Sequence, residues 1–349
     1  MRLSRLGMLS LGLLIGTSAV FGAGPAAQAK DVKVAYIPCG RVNDGSWSQA
    51  GYEGVKDAKA KLAKDGINVS ISYSESLPPS QAETAARDYA SKGFQTIVLH
   101  CGTFTNGAYN AGKDFPKTHF LIVVAPKSVG NVWSYTPAMQ DISFVSGILA
   151  ARLSKSGVVG TVASFNFSNI TWQAEGFRLG ARYANPKIKA FSTYINSFTD
   201  AGKAKEAAQT MIDAGADVIY SSTDQASRGI YAAAKSAGAL VIASYSDQSK
   251  LAPKTIVANA LANIPLLVSD MVQKSVKGTL VPGKAYAVGM AGGIGALVFN
   301  PEMKSKVPDK VMKEINDVMN KIRTGKLKIP AISEPGGYAK VDLKSLTAK

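Results

Sequence analysis

Polar and aromatic side chains gather where the predicted strands of this sequence end. After the first apolar run the sequence reads Asn43-Asp44-Gly45-Ser46-Trp47-Ser48-Gln49, which combines a carboxylate with a large aromatic ring. Such a pair can hydrogen-bond the edge of a ligand and stack on its face. Further candidate binding residues lie near other strand ends or in the helix that follows: Cys101, Phe165, Asn166, Trp172, Tyr220, Tyr245 and Asp247. The set nearly lacks Lys, Arg and His, which favours a flat, polar, uncharged ligand.

Signals for catalysis are scarce. The two histidines, His100 and His119, show no metal-ligand spacing, and the H-E-x-x-H, C-x-x-C and G-x-S-x-G patterns do not occur. The Gly292-Gly293-Ile294-Gly295 run invites a dinucleotide-binding interpretation, but Val298 stands where the third glycine belongs. A tight turn is the better interpretation. We therefore expect a binding protein that has no cofactor, no metal and no enzymatic activity.

Strand and helix signals alternate along the chain, and the alternation restarts once. Strand-like apolar runs cover 34–38, 67–73, 94–99 and 120–124; after a long predicted helix at 137–153, others cover 157–163, 188–195, 216–220 and 240–243. This rhythm is typical of a doubly wound parallel sheet with helices on both faces. Ligands of open α/β sheets bind beyond the carboxyl ends of the strands. The sequence therefore predicts two α/β lobes with a ligand cleft between them.

The predicted lobes are discontinuous in sequence. We expect the N-terminal lobe to contain residues 30–136 plus about 259–282, and the C-terminal lobe to contain 137–258 plus about 283–349. Short strands at 256–260 and 286–290, with a helix near 266–277 between them, let the chain return to the first lobe.

Two cysteines, Cys39 and Cys101, each directly follow a predicted strand. In a flavodoxin-like strand order the first and third strands are neighbours, so their carboxyl ends lie side by side. Adjacent strands are about 4.8 Å apart, within the usual disulfide window of roughly 4.4–6.8 Å between Cα atoms. We therefore predict a Cys39–Cys101 disulfide.

The N-terminus has the pattern of a cleaved signal peptide, residues 1–29. Arg2 and Arg5 precede an apolar stretch, and Ala27-Gln28-Ala29 forms an A-x-A cleavage pattern. We expect an exported, periplasmic protein without stable membrane insertion. The formal net charge of the whole chain is +16, but the basic residues are scattered among acids. This distribution indicates a solvated basic surface and no nucleic-acid partner.

The Asn43–Gln49 segment resembles the same element of the basic membrane protein family, which includes purine nucleoside receptors of bacterial ATP-driven transporters. Other short motifs follow in the family's order: Gly147 to Ala151, Glu175 to Ala181, Asn185-Pro186, and Ser246-Asp247-Gln248. The resemblance implies a type I periplasmic-binding-protein fold. It also implies that Asp44 hydrogen-bonds a purine and that Trp47 stacks on it, while Ser48 replaces the family's usual Asn. An ordinary Asx turn that caps a helix, with Trp47 in the core, remains the alternative.

Two departures from the family pattern concern the ligand. Tyr245 stands where nucleoside-binding members carry the Asp that holds the ribose hydroxyls, and Ala262 lies nearest to a Lys position near the sugar. A buried hydroxyl without a partner costs roughly 1–3 kcal/mol. The sequence therefore favours a free purine base, adenine first, over a nucleoside. Trp47 could face an aromatic ring of the other lobe, and Trp172, Phe165 and Tyr245 are the candidates.

The resemblance implies a monomeric substrate-binding component that delivers a small-molecule ligand to an ABC transporter permease. A purine nucleoside is the alternative ligand. A nucleobase-processing enzyme, such as a nucleoside hydrolase, is a further alternative from another class, but it needs a cluster of metal-binding aspartates that the sequence lacks. A chemoreceptor-coupled sensor would have the same sequence features as a transporter component.

Overall fold

The computed structural model describes residues 30–44 and 47–346. The predicted signal peptide, residues 1–29, lies outside the described residues, as do Gly45 and Ser46 of the Asn43–Gln49 segment. Among the helices of the described residues, none combines the length and the apolar character of a membrane span.

The first half of the chain alternates strands and helices as the apolar pattern predicts. Its elements are β1 (Lys30–Pro38), α1 (Trp47–Lys64), β2 (Ile67–Tyr73), α2 (Pro79–Ser91), β3 (Thr96–His100), α3 (Thr105–Asp114), β4 (His119–Val123) and β5 (Val132–Pro137). The strand β5 was not predicted, and the helix expected from residue 137 begins three residues later, at Gln140.

The second half repeats the alternation and ends on a long amphipathic helix. Its elements are α4 (Gln140–Leu153), β6 (Val158–Ala163), α5 (Ser168–Ala184), β7 (Lys189–Tyr194), α6 (Ala201–Asp213), β8 (Val218–Ser222), α7 (Ser227–Ala237), β9 (Leu240–Tyr245), β10 (Ile256–Ala262), α8 (Ile264–Val276), β11 (Tyr286–Val288), β12 (Gly295–Phe299) and α9 (Asp309–Arg323). The predicted tight turn is present, because Gly293 adopts a left-handed φ of 79° just before β12.

The strands form two separate six-stranded sheets, which confirms the two predicted lobes. The first sheet has the order β11-β5-β4-β3-β1-β2 and is parallel throughout. The second has the order β12-β10-β9-β8-β6-β7, and its edge strand β12 runs antiparallel to β10. In both sheets, therefore, the strands that end at the interlobe cleft are parallel neighbours.

The chain passes between the lobes three times: between β5 and α4, between β10 and α8, and between β11 and β12. These passages correct the expected lobe boundaries. All of β10 pairs in the second sheet, so residues 259–262 belong to the second lobe, whereas β11 pairs with β5 and returns residues 286–288 to the first lobe. The short apolar runs did not reveal which sheet each strand would join, because that choice depends on long-range pairing.

Close helix packing supports the second lobe behind the cleft. Helices α4 and α5 approach so closely that a Cβ atom at Gly147 would overlap the backbone carbonyl of Phe177, and one at Gly180 would overlap that of Phe144. Larger residues at these two glycines would push the helices apart. Because α5 also carries Trp172 and Gln173, this contact fixes part of the cleft wall.

Candidate functional site

A cavity of about 1130 Å³ lies between the two lobes. It is bordered by segments that follow β1, β3 and β4 of the first lobe and β6, β8 and β9 of the second, as expected for ligand sites of open α/β sheets. Its lining residues include Gly40, Asp44, Trp47, Ser48, Gln49, Glu53, Cys101, Thr103, Val124, Asn166, Phe167, Trp172, Phe198, Ser222, Asp224, Tyr245 and Ser333.

Trp47 is held in place by His100. The two rings stack with centroids 4.5 Å apart and planes 16° from parallel. The indole Nε1–H of Trp47 also donates a hydrogen bond to the backbone carbonyl of His100 at 3.2 Å. One face of the indole is therefore covered by the imidazole, and the half-buried ring borders the cavity instead of lying in the core.

His100 is fully buried beneath Trp47. Its Nδ1 is 2.7 Å from the hydroxyl of Tyr135, whereas its Nε2 has no hydrogen-bond partner among the described residues. Gly51 lies directly over this side of the ring, where a Cβ would clash with Nε2 and with the hydroxyl of Tyr36. Burial lowers the pKa of His100 to about 3, so the imidazole is neutral at physiological pH.

The buried neutral imidazole predicts acid sensitivity. In the unfolded chain His100 takes up a proton below about pH 6.5, whereas the folded protein keeps it neutral until about pH 3. The unfolded state then binds more protons, so the free energy of unfolding should fall by about 1 kcal/mol per pH unit between pH 6.5 and 5, with the slope steepening towards about 1.4 at the acid end of this range. Urea denaturation of the wild type and of His100→Gln at pH 7, 6 and 5 measures this slope. The contribution of His119 cancels between the two proteins, and identical slopes would contradict the prediction.

Asp44 caps the first turn of α1. Its Oδ2 accepts a hydrogen bond from the backbone N–H of Ser48 at 3.2 Å, and its Oδ1 accepts one from that of Gln49 at 3.0 Å. The capping alternative is therefore correct for Asp44. The carboxylate also borders the cavity. Ser48 is buried and its Oγ accepts a hydrogen bond from the backbone N–H of Gly40 at 3.0 Å, which fixes the loop between β1 and α1.

Tyr245 reaches the cavity from the second lobe and meets Trp47 across it. The two ring centroids are 6.4 Å apart in an edge-to-face arrangement, with 78° between the planes. The hydroxyl of Tyr245 accepts a hydrogen bond from Nε2 of Gln173 at 2.7 Å. Gln173 is itself fully buried, and its Oε1 accepts from Ser222 Oγ at 3.0 Å. A buried polar network therefore sets the position of the phenol ring.

Strained backbone borders the cavity on both sides. Val124, Asp224 and Tyr245 have φ angles of 60°, 55° and 71°, in the left-handed region that favours glycine. All three line the cavity at the end of a strand or within two residues after it. Such conformations cost of order 1–3 kcal/mol each and concentrate at functional sites. The strain is an indication, independent of side-chain chemistry, that this cavity is the functional site.

The charge of the cavity differs from that of the whole molecule. Its lining contains the carboxylates of Asp44, Glu53 and Asp224, and among the described lining residues there is no Lys, Arg or His. The whole chain, by contrast, has a formal net charge of +16. An anionic group such as a phosphate would meet like charge and no counter-ion in this cleft. The arrangement fits a flat ligand that presents hydrogen-bond donors.

The model of the Bmp family, described as "ABC transporter substrate-binding protein PnrA-like", matches residues 31–333. The chain belongs to the Bmp family. The description of the model, a substrate-binding protein of ABC transporters, agrees with two lobes and a cavity between them.

Individual relatives match most of the chain. The "Transcriptional activator protein med" of Bacillus subtilis is 28% identical over 82% of this chain and 89% of its own. The "Purine-binding protein" of Brucella abortus is 26% identical over 90% of this chain and 88% of its own. The "ABC transporter nucleoside-binding protein BmpA" of Lactococcus lactis is 24% identical over 94% and 97%. A solved solute-binding protein of an ABC transporter system from Aeropyrum pernix has a TM-score of 0.73 at 19% identity, covering 90% of this chain and 98% of its own.

The structure brings most of the predicted site residues of this Bmp-family chain to the cavity: Asp44, Trp47, Ser48, Cys101, Asn166, Trp172 and Tyr245. Tyr220 was predicted to bind the ligand, but the structure does not place it at the cavity. It is fully buried, stacks on Phe177 and forms a hydrogen bond with Ser143 Oγ at 3.0 Å. It lies within β8, and its side chain faces the helices instead of the cleft.

Three other predicted residues do not line the cavity. Phe165 packs against Phe167 and Phe198, with ring centroids 5.0 and 4.7 Å apart, and those two rings border the cavity in its place. Asp247 uses its Oδ1 to accept from the backbone N–H of Ser249 and from Nδ2 of Asn259, so it shapes a turn. Asn43 is exposed beside Asp44.

Several lining residues were missed, and two groups of them differ in the signal that the sequence offered. Val124, Ala125 and Pro126 follow β4, and their position after a predicted strand was the available signal. Ser333 comes from the C-terminal segment, far from any predicted strand, and no signal in the sequence placed it there.

The structure contains the predicted disulfide between Cys39 and Cys101, with Cα atoms 5.2 Å apart. As expected, β1 and β3 are parallel neighbours, and Pro38 is in register with His100. The bridge therefore ties the segment between β1 and α1, which leads to Trp47, to the end of β3, where His100 lies. Both cysteines border the cavity.

Removal of this disulfide should destabilise the protein. The bridge closes a loop with a sequence separation of 62 residues. Constraint of the unfolded chain by such a loop contributes roughly 2–4 kcal/mol, so the Cys39→Ser/Cys101→Ser variant should lose about that much free energy of unfolding in urea. Ellman titration of the unfolded, unreduced wild type should detect no free thiol. Two free thiols in that titration would refute the bridge.

Proposed function

We propose that this Bmp-family chain is the periplasmic receptor of an ABC importer and that it carries a free purine base, with adenine the favoured ligand. The observation that carries the proposal is the contact of Trp47 and Tyr245 across the interlobe cavity. It supplies an aromatic platform on one lobe and a bulky phenol on the other. The Brucella abortus relative named as a purine-binding protein supports the same ligand class.

The first lobe would fix the base. The covered face of Trp47 rests on His100, which leaves the opposite indole face as a stacking platform. The carboxylate of Asp44 borders the same cavity and can accept a hydrogen bond from an exocyclic amine or a ring N–H. A carboxylate acceptor favours adenine's amino edge over a ring edge that presents only carbonyl oxygens.

Closure of the second lobe would then exclude the sugar. The Tyr245 hydroxyl accepts from Gln173, and in the bound state its O–H would donate to a ring nitrogen of the base. A ribose would have to displace the phenol ring, and neither an acid at position 245 nor a lysine at position 262 is present to bind its hydroxyls. A free base has no ribose, so it need not displace the phenol ring and has no sugar hydroxyls that lack partners.

A purine nucleoside is the second candidate. The cavity volume of about 1130 Å³ exceeds what a bare base fills, and the Lactococcus lactis relative is named as a nucleoside-binding protein. Movement of Tyr245 could make room for a sugar within this volume.

Native mass spectrometry of the purified protein distinguishes the two candidates. We expect a bound mass that corresponds to a purine base, exchangeable against added adenine. A bound mass of a nucleoside would support the second candidate instead. Adenine and adenosine incubated with the protein should both be recovered unchanged, whereas release of ribose in proportion to protein concentration would indicate an enzyme.

A further inference from the structure

We propose that the C-terminal strap, residues 328–346, is part of the ligand site and that Ser333 is a positioning residue for Trp172. The expected effect on adenine binding rests on the proposed function, whereas the position of Trp172 does not. Most of the strap lies beyond the family match, which ends at residue 333. The backbone N–H of Lys328 donates to the carbonyl of Leu346 at 3.0 Å, so the strap is a loop closed at its base.

One face of α5 binds the strap through the buried carboxylate of Glu175. Glu175 is fully buried, and its Oε2 accepts a hydrogen bond from the backbone N–H of Tyr338 at 3.0 Å. Its Oε1 accepts from Arg178 at 2.9 Å, and the guanidinium of Arg178 lies 4.1 Å from the ring centroid of Tyr338. The buried charge is therefore paired, and the strap itself supplies one of its donors.

A second cation on the same helix fixes the strap further along. Nη1 of Arg182 is within hydrogen-bond distance of three strap carbonyls, those of Tyr338, Ala339 and Val341, at 2.8, 3.1 and 3.2 Å. Residues 175, 178 and 182 are spaced three and four apart, so they share one helix face. This face anchors the strap independently of any ligand.

The strap reaches the cavity at the cleft end of that helix. Trp172 lies one turn before Glu175, and its indole Nε1–H donates a hydrogen bond to Ser333 Oγ at 2.9 Å. Both residues border the cavity. Because the anchored strap holds the acceptor, the indole ring is kept in one orientation before a ligand arrives. An aromatic wall fixed in advance loses less side-chain entropy when a ligand packs against it.

Replacement of Ser333 tests this role against a matched control. Ser333→Ala removes the acceptor and should weaken adenine binding about fivefold in calorimetric titrations. Ser345→Ala removes a hydroxyl of the same strap that donates a hydrogen bond to the carbonyl of Asp342 at 2.6 Å and does not line the cavity, and it should change the affinity less than twofold. In a Trp172→Phe background, which lacks the indole N–H, Ser333→Ala should have no further effect.

A ligand-free measurement separates this inference from the proposed function. The three indole N–H groups, of Trp47, Trp133 and Trp172, each donate to a protein acceptor. In ¹H–¹⁵N spectra Trp172 is assigned by its absence in Trp172→Phe. Ser333→Ala should speed solvent exchange of this indole proton at least tenfold and leave the other two unchanged. Unchanged exchange at Trp172 would overturn the strap inference whatever the ligand is. Absence of adenine binding to a wild type with a protected Trp172 proton would overturn the proposed ligand alone.

Discussion

Replacing Trp47 by alanine should weaken the binding of adenine and adenosine together, by roughly 1–3 kcal/mol, the usual loss when a base loses its aromatic stacking partner. Both ligands contain the same base, so a platform that stacks on the base contributes equally to each. The indole is held from behind by the His100 ring and by its carbonyl, so the wild-type platform is formed before the ligand binds. Calorimetric titration of both ligands measures the change.

Two variants control for indirect effects. Trp47→Phe keeps an aromatic face and should recover most of the affinity. Trp133→Phe alters another first-lobe tryptophan, whose N–H donates to the carbonyl of Val281 at 2.9 Å and which does not line the cavity; its affinity should equal that of the wild type. If Trp47→Ala bound both ligands with wild-type affinity, the indole would not be part of the binding site, and the proposed pairing of Trp47 with Tyr245 across the cleft would be wrong.

The features that were predictable from the sequence depend on local pattern. The β-α rhythm predicted both sheets, and the strand-end rule placed Asp44, Trp47 and Tyr245 at the cavity. The disulfide followed from the same rule, because the neighbours of β1 are set by the strand order. The sheets and the strand-end residues need only runs of apolar residues and the segments that follow them, and the disulfide needs the strand order as well.

The features that were missed depend on long-range packing. The strand β5 is fully buried although it contains Ser134 and Thr136, whose polarity hid the strand pattern. The edge strand β12 follows a glycine-rich turn and gains its partner β10 only from the tertiary fold. Tyr220 was misassigned because it is near the end of a strand while its ring packs into the core. Ser333 lies at the cavity in a C-terminal segment that contacts Glu175 and Arg182 of α5, and such contacts between distant residues leave no local pattern in the sequence.

Asp44 shows how one side chain can satisfy two predictions that the sequence analysis gave as alternatives. Its oxygens accept the hydrogen bonds of two backbone N–H groups at the start of α1, and the same carboxylate borders the cavity. Capping holds the carboxylate in a fixed orientation, which lowers the entropy loss of any further hydrogen bond to a ligand. The helix cap therefore supports the proposed binding role.

Wild-type protein should bind adenine at least tenfold more tightly than adenosine, a difference of about 1.4 kcal/mol. The phenol of Tyr245 lies against Trp47 and is held there by Gln173, so a sugar attached to the stacked base must displace it. Tyr245→Asp should narrow the gap, because it opens space and supplies an acceptor for ribose hydroxyls. The substitution suits the backbone, since φ at this position is 71° and Asp tolerates the left-handed region better than a bulky residue.

Tyr245→Phe is the matched control, because it keeps the ring and removes only the hydroxyl. If the ring excludes the sugar by its bulk, this variant should keep the preference for adenine, although both ligands lose any hydrogen bond to the phenol. Titration of the two ligands against wild type, Tyr245→Asp and Tyr245→Phe gives the six affinities that are needed. Equal affinities of adenine and adenosine for the wild type would reject the free-base proposal in favour of a nucleoside. A preference that survives in Tyr245→Asp would assign the exclusion of ribose to another part of the cavity wall, with Ala262 and Trp172 the next residues to vary.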